Sequence, residues 1–160
     1  MSASEQKQTA GPSLDCLVYV AEDDPYLRQL AGLLLESEHI PHRTFCNGEE
    51  ALKDYATAEK KPSLVISDFS MGMYNMNGVQ FLAAVKILNP ATKCFLVSGT
   101  VDRASVAVDG KPVDRYLSKP YDNSEFLNVA RSLLGLPPSP VVQRPASSEP
   151  DDAPPADSLQ

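Results

Sequence analysis

The sequence predicts an α/β fold: a doubly wound, five-stranded parallel sheet in three layers, with helices on both faces. Two observations carry that expectation. Between residues 14 and 136, five short apolar runs alternate with stretches of helical periodicity. The first run is continuously apolar rather than alternating, as in a strand buried on both sides.

That first strand, 17–21 (LVYVA), stops abruptly at Glu22-Asp23-Asp24-Pro25. Pro25 suits the first turn of a helix and Asp24 its N-cap. Leu27, Leu30, Ala31, Leu34 and Leu35 then keep helical spacing to about Glu38. A short strand at 42–46 leads to Asn47, the N-cap of a helix over 48–60. The third strand, 63–67 (SLVIS), ends at Asp68. A loop with Met71-Gly72-Met73 runs to Asn77, where a third helix begins. Strands follow at 93–98 (KCFLVS) and 115–118 (RYLS), and Asp122 caps a last helix holding Phe126, Leu127, Ala130, Leu133 and Leu134. One connection is weak. Residues 100–113 (TVDRASVAVDGKPV) should supply a helix between the last two strands, yet they carry β-branched Val, Gly110 and Pro112. At most two turns, or an irregular connection, are expected there.

Composition bounds the function. The chain has 160 residues, enough for one core, and 42% are hydrophobic, which argues against wholesale disorder. Its net charge of −7 repels phosphate backbones, so direct nucleic-acid binding is not expected. Residues 1–13 have no apolar core and no run reaches membrane-spanning length, so neither secretion nor membrane insertion is expected. Cys16, Cys46 and Cys94 have no C-x-x-C spacing and suit a reducing, cytoplasmic setting. Seven of the 14 prolines fall in 137–160, a stretch with net charge −3. The domain expectation is therefore a disordered head over 1–13, a folded body over 14–136, and a disordered Pro-rich acidic tail over 137–160.

The chemistry gathers where the strands end. In a doubly wound sheet, ligands bind beyond the carboxyl ends of the strands. Here those positions hold Glu22, Asp23, Asp68, Ser98 and Lys119. Crowded carboxylates raise one another's pKa unless a cation neutralises them, and Mg²⁺ is a hard ion suited to such oxygens. Asp23 is the expected direct ligand, with Glu22 acting largely through water. The plainer reading is an acidic turn that caps a helix. Lys119 at a buried edge needs an anion, and Asp68 is available. Gly99, beside Ser98, lets a group approach the backbone.

Together, VYVAEDDP, SLVISDFSM with Asn77-Gly78, FLVSGT and YLSKPYD resemble the receiver domain of two-component response regulators, over residues 15–135. The resemblance implies the flavodoxin-like strand order 2-1-3-4-5. It implies that Asp68 is the phosphoacceptor, and that Glu22, Asp23, Asp68 and the Ser70 backbone carbonyl hold Mg²⁺. Lys119, Ser98 and Gly99 would contact the phosphoryl group, with Ser98 and Tyr116 as the switch pair. The implied partners are a sensor histidine kinase or histidine phosphotransfer protein and an unidentified downstream protein. The implied role is a stand-alone phosphoacceptor that assists its own phosphorylation and dephosphorylation without being an enzyme. A pseudo-receiver working without phosphorylation is the alternative, although the Asp, acidic pair and Lys are all present. An aspartyl-phosphate phosphatase is disfavoured, because Phe69-Ser70 replaces its D-x-D. Two departures stand out: Gly72 replaces the family's usual Pro after Met71, and Gly78 lies ten rather than eight residues after Asp68.

The remaining residues read more plainly. The three cysteines are expected to pack as small hydrophobes. His39 and His42 lack a third ligand for a metal site. Met71, Met73 and Met76 are expected to fill gaps.

Overall fold

The computed structural model describes residues 15–72, 76–99 and 112–139. Five parallel strands lie in the order β2-β1-β3-β4-β5: β1 Val18–Ala21, β2 His42–Phe45, β3 Leu64–Asp68, β4 Lys93–Ser98 and β5 Arg115–Ser118. Among the described residues the helices are α1 Pro25–Ser37, α2 Gly48–Thr57, α3 Gly78–Leu88 and α4 Asn123–Leu133. The expected helix over 100–113 lies almost wholly outside the described residues, as do the head and the tail beyond Ser139.

Strand periodicity sorts the core onto two faces. Val18, Val20, Leu64, Ile66, Phe95 and Val97 point to the side covered by α1 and α4, through Ala31, Leu35, Phe126, Leu127 and Ala130. Tyr19, Ala21, Val65, Cys94 and Leu96 point to the side covered by α2 and α3, through Ala51, Tyr55, Phe81, Leu82 and Val85. All of β1 is buried, whereas the edge strand β2 is not. The continuous apolar run thus marks the centre of the sheet.

Local signals set the helix starts. Asp24 Oδ1 accepts the amides of Tyr26 at 2.8 Å and Leu27 at 3.2 Å. Asn47 Oδ1 accepts from Glu50, and Asn77 forms a capping box with Gln80. Asp122 precedes α4 but makes no side-chain cap bond. The α2 helix ends at Thr57, earlier than periodicity predicts. Lys61 folds back there to donate to the carbonyls of Tyr55 and Ala56, closing the last turn.

The chain also stays packed beyond Leu136. The hydroxyl of Ser139, fully buried, donates to Glu38 Oε1. Arg131 bridges Glu38 Oε2 at 3.1 Å and donates to the Pro137 carbonyl. The start of the Pro-rich stretch is therefore tied to the ends of α1 and α4.

Candidate functional site

Because every strand runs the same way, Glu22, Asp23, Asp68, Ser98 and Lys119 all emerge at one edge of the sheet. Asp68 ends β3 between β1 and β4, opposite Val97. Glu22, Asp23 and Asp68 each bring one carboxylate oxygen within 4.8 Å of the others. Lys119 Nζ lies 3.2 Å from Glu22 Oε2 and 3.3 Å from Asp68 Oδ1. One ammonium thus serves two carboxylates, and with Asp23 the cluster sets three carboxylates against one ammonium, so it is net negative.

The electrostatics reflect that surplus. Burial first, then the neighbouring Asp68 charge, pushes the Glu22 pKa up to about 7 against the pull of Lys119. Burial also raises Asp68 despite Lys119. For Lys119, burial acts against the ammonium, but Glu22 and Asp68 outweigh it and raise its pKa. Three hard carboxylate oxygens with excess negative charge are a donor set that fits Mg²⁺. Among the described residues no other group of His, Cys, Asp and Glu side chains is placed to hold a metal.

The two acidic neighbours are not equivalent. Glu22 is 7% exposed, and its carboxylate already accepts from the Asp24 amide at 3.2 Å and from Lys119. Asp23 is half-exposed, and its Oδ2 would lie 2.9 Å from any Cβ placed on Gly72. Gly72 has φ +63°, a conformation closed to proline, whose ring holds φ near −65°. The departure at position 72 therefore reshapes the turn beside Asp23.

Gly78 answers the second departure. A Cβ there would stand 2.2 Å from the Asp68 carbonyl oxygen, and its amide donates to the Phe69 carbonyl at 2.8 Å. The N-terminus of α3 thus braces the backbone of Asp68, although the connection is ten residues long. Residues 73–75 of that connection, Met73 included, lie outside the described residues.

Ser98 is buried, and its carbonyl accepts from the Lys119 amide at 3.0 Å and from the Tyr116 hydroxyl at 3.3 Å. Gly99 is exposed, and a Cβ there would sit 3.5 Å from Lys119 Cβ, an ordinary contact. Ser70 is exposed at the mouth of the site. The Lys119–Pro120 peptide is cis. Sequence reasoning missed Arg28, whose guanidinium donates to the carbonyls of Glu22 at 2.9 Å and Asp23 at 3.4 Å. Its position one turn into α1 was the available signal. The pairing of Lys119 with Glu22 as well as Asp68 also went unread.

The plainer readings stand apart from this edge. Cys94 is buried, whereas Cys16 and Cys46 are half-buried, and all three are free. Cys46 donates its thiol proton to Glu50, and Met71 is buried in the core beneath α2 and α3.

A flavodoxin-like sheet presents its ligand site at the carboxyl edge of the strands, and here that edge carries an acidic triad and a lysine. The family model for the response regulator receiver domain matches residues 18–131, and the chain belongs to that family. It is 30% identical to the DNA-binding transcriptional regulator NtrC of Escherichia coli over 110 residues, 68% of this chain and 23% of that protein. It is 33% identical to the transcriptional regulatory protein GlrR of the same species over 105 residues, 64% of this chain and 22% of that one. The chain thus spans about a quarter of the length of these relatives. A solved signal receiver domain of an HD domain-containing protein from Pseudomonas fluorescens has TM-score 0.67 at 25% identity, covering 75% of this chain and 94% of that one. The response regulator TrrA of Thermotoga maritima, solved with Mg²⁺ and BeF, has TM-score 0.65 at 24% identity, covering 74% and 98%. This is a receiver domain of two-component signalling.

Proposed function

We propose that Asp68 accepts a phosphoryl group from a sensor histidine kinase or histidine phosphotransfer protein, and that the change passes to a downstream protein through protein contacts. The observation that carries this is the shared Lys119, held within 3.3 Å of both Glu22 and Asp68 in a cluster with surplus negative charge. In the reaction, an Asp68 carboxylate oxygen attacks phosphorus in line. The bond from phosphorus to the donor's imidazole nitrogen breaks, and its electron pair stays on that nitrogen, which takes up a proton. The Lys119 ammonium offsets charge on the equatorial oxygens. Mg²⁺ held by Glu22, Asp23, Asp68 and the Ser70 carbonyl would supply the remaining charge neutralisation. Glu22 is occupied by Lys119 and the Asp24 amide, which favours Asp23 as the direct ligand and Glu22 as an indirect one.

Ser98 then gains an acceptor on the phosphoryl group, with the Gly99 backbone beside it, and the equilibrium between two arrangements shifts. Tyr116 is tied to the carbonyl of Ser98, so movement of one is felt by the other. A groove of 360 Å³ lined by Leu27, Leu30, Lys119, Pro120, Tyr121 and Asn123 would give a donor protein an apolar wall. This role is that of a cytoplasmic receiver module that signals through protein contacts. It is a phosphoacceptor that assists its own turnover rather than an enzyme. Intact-protein mass spectrometry with Mg²⁺ and an acyl phosphate tests it. The parent gains one phosphoryl group, and Asp68→Asn, which keeps the shape and removes the nucleophile, gains none. Undiminished uptake by Asp68→Asn, or none by the parent, overturns the reading.

A further inference from the structure

The connection from Asp68 to Gly78 is longer than its family's pattern, and a long loop beside a reactive group costs more entropy to hold still. Its two ends are gripped from outside by consecutive residues in the first turn of α2. At one end, Gly48 packs so closely that a Cβ would stand 3.2 Å from Met71 Cε and 3.0 Å from Phe81 Cβ. Met71 is itself 2% exposed. At the other end, Glu49 Oε1 accepts the Met76 amide at 2.9 Å. Among the described residues, Glu49 Oε2 is buried with no partner. A buried carboxylate oxygen left unpaired calls for an explanation. The α2 N-terminus offsets part of its charge, and the bond made by the other oxygen reaches across 27 residues to a loop.

Met76 is followed directly by Asn77, which caps α3, and by Gly78, which backs the Asp68 carbonyl and bonds Phe69. We infer that Glu49 is a positioning residue for Asp68, acting through Met76–Gly78, with Gly48 fixing the opposite end of the same connection. The inference rests on the phosphoacceptor reading of Asp68 and adds to it a residue outside the carboxyl-edge cluster.

The test compares the full chain with Glu49→Ala and Glu49→Gln, and with Glu50→Ala as a control on the same helix turn. Phosphoryl uptake from an acyl phosphate with Mg²⁺ is followed by intact mass, and protection of the Met76 amide by hydrogen exchange. Glu49→Ala is expected to lose about tenfold of the Met76 protection and to slow uptake about three- to tenfold. Glu49→Gln retains a carbonyl acceptor and should stay within about twofold of the parent in both, as should Glu50→Ala. Loss of protection with unchanged uptake would show that the grip does not position Asp68. Equal slowing by Ala and Gln would assign the effect to charge, and either result overturns the inference. If Glu49→Ala unfolds, Glu49→Asp, which keeps the charge but shortens the reach, carries the same comparison. A parent that takes up no phosphoryl group overturns the Asp68 reading and this inference with it, whereas normal parent uptake with an indifferent Glu49→Ala overturns the inference alone.

Discussion

Two buried ionic clusters sit at opposite ends of the strands and are built on different principles. At the amino end, Glu38 is matched oxygen for oxygen, one to Arg131 and the other to Ser139. At the carboxyl end, Glu22 and Asp68 share the one ammonium of Lys119, with Asp23 nearby. The first cluster joins α1, α4 and the chain beyond Leu136, and its charges balance. The second carries excess anion, pushes Glu22 up to about 7, and leaves Asp23 half-exposed. A structural pair minimises unpaired charge, while a site proposed to bind a cation and then a phosphoryl group would have to hold charge in reserve.

The largest effect separates the two ends directly. Arg131→Met removes the charge partner of Glu38, whose side chain is 7% exposed and keeps the Ser139 hydroxyl, and should cost about 3–4 kcal/mol in urea unfolding. Adding Mg²⁺ should leave that difference unchanged. Lys119→Met should cost less, about 1–2 kcal/mol, because the crowded carboxylates can take up a proton instead. Its deficit should shrink with Mg²⁺, since a site stripped of its ammonium binds the cation more tightly. A concentration ten times the Kd contributes about 1.4 kcal/mol. Equal responses of the two variants to Mg²⁺ would break the contrast.

A smaller effect sharpens it. The Glu22 pKa is raised in the folded state, so the unfolded chain gives up its proton first as pH climbs. In metal-free buffer this group therefore removes stability progressively between about 4.5 and about 7. Part of the shift comes from Asp68, so Asp68→Asn should overtake the parent in stability across that window, by on the order of 1 kcal/mol. Parallel pH profiles of the two proteins would show that the carboxylates do not interact. A still smaller change belongs to Asp114, whose pKa is lowered. Burial opposes that direction, but the bonds to Lys86 and to the Cys94 amide outweigh it. Its contribution is present above the ordinary carboxylate range and is lost as pH falls through the lowered value. Asp114→Asn should therefore cost under about 1 kcal/mol at pH 7 and progressively less in acid.

What the sequence determined by itself is what short-range physics encodes. The apolar runs of β1, β3 and β4 identify buried strands because a side chain's face alternates along a strand whatever lies around it. Asp24, Asn47 and Asn77 mark helix starts because capping is completed within three residues. Placing Glu22, Asp23, Asp68, Ser98 and Lys119 at one edge needed only the parallel sense of the strands. Which of these groups touch was decided by the tertiary structure. Lys119 reaches Glu22 across 97 positions, and the Glu38–Ser139 bond spans 101. Gly72, in a turn, and Gly78, at the start of α3, carry no special signal until Asp23 and the Asp68 carbonyl arrive beside them. Periodicity records which face a residue presents but not its partner on that face, because the partner depends on how distant segments pack once the sheet has closed.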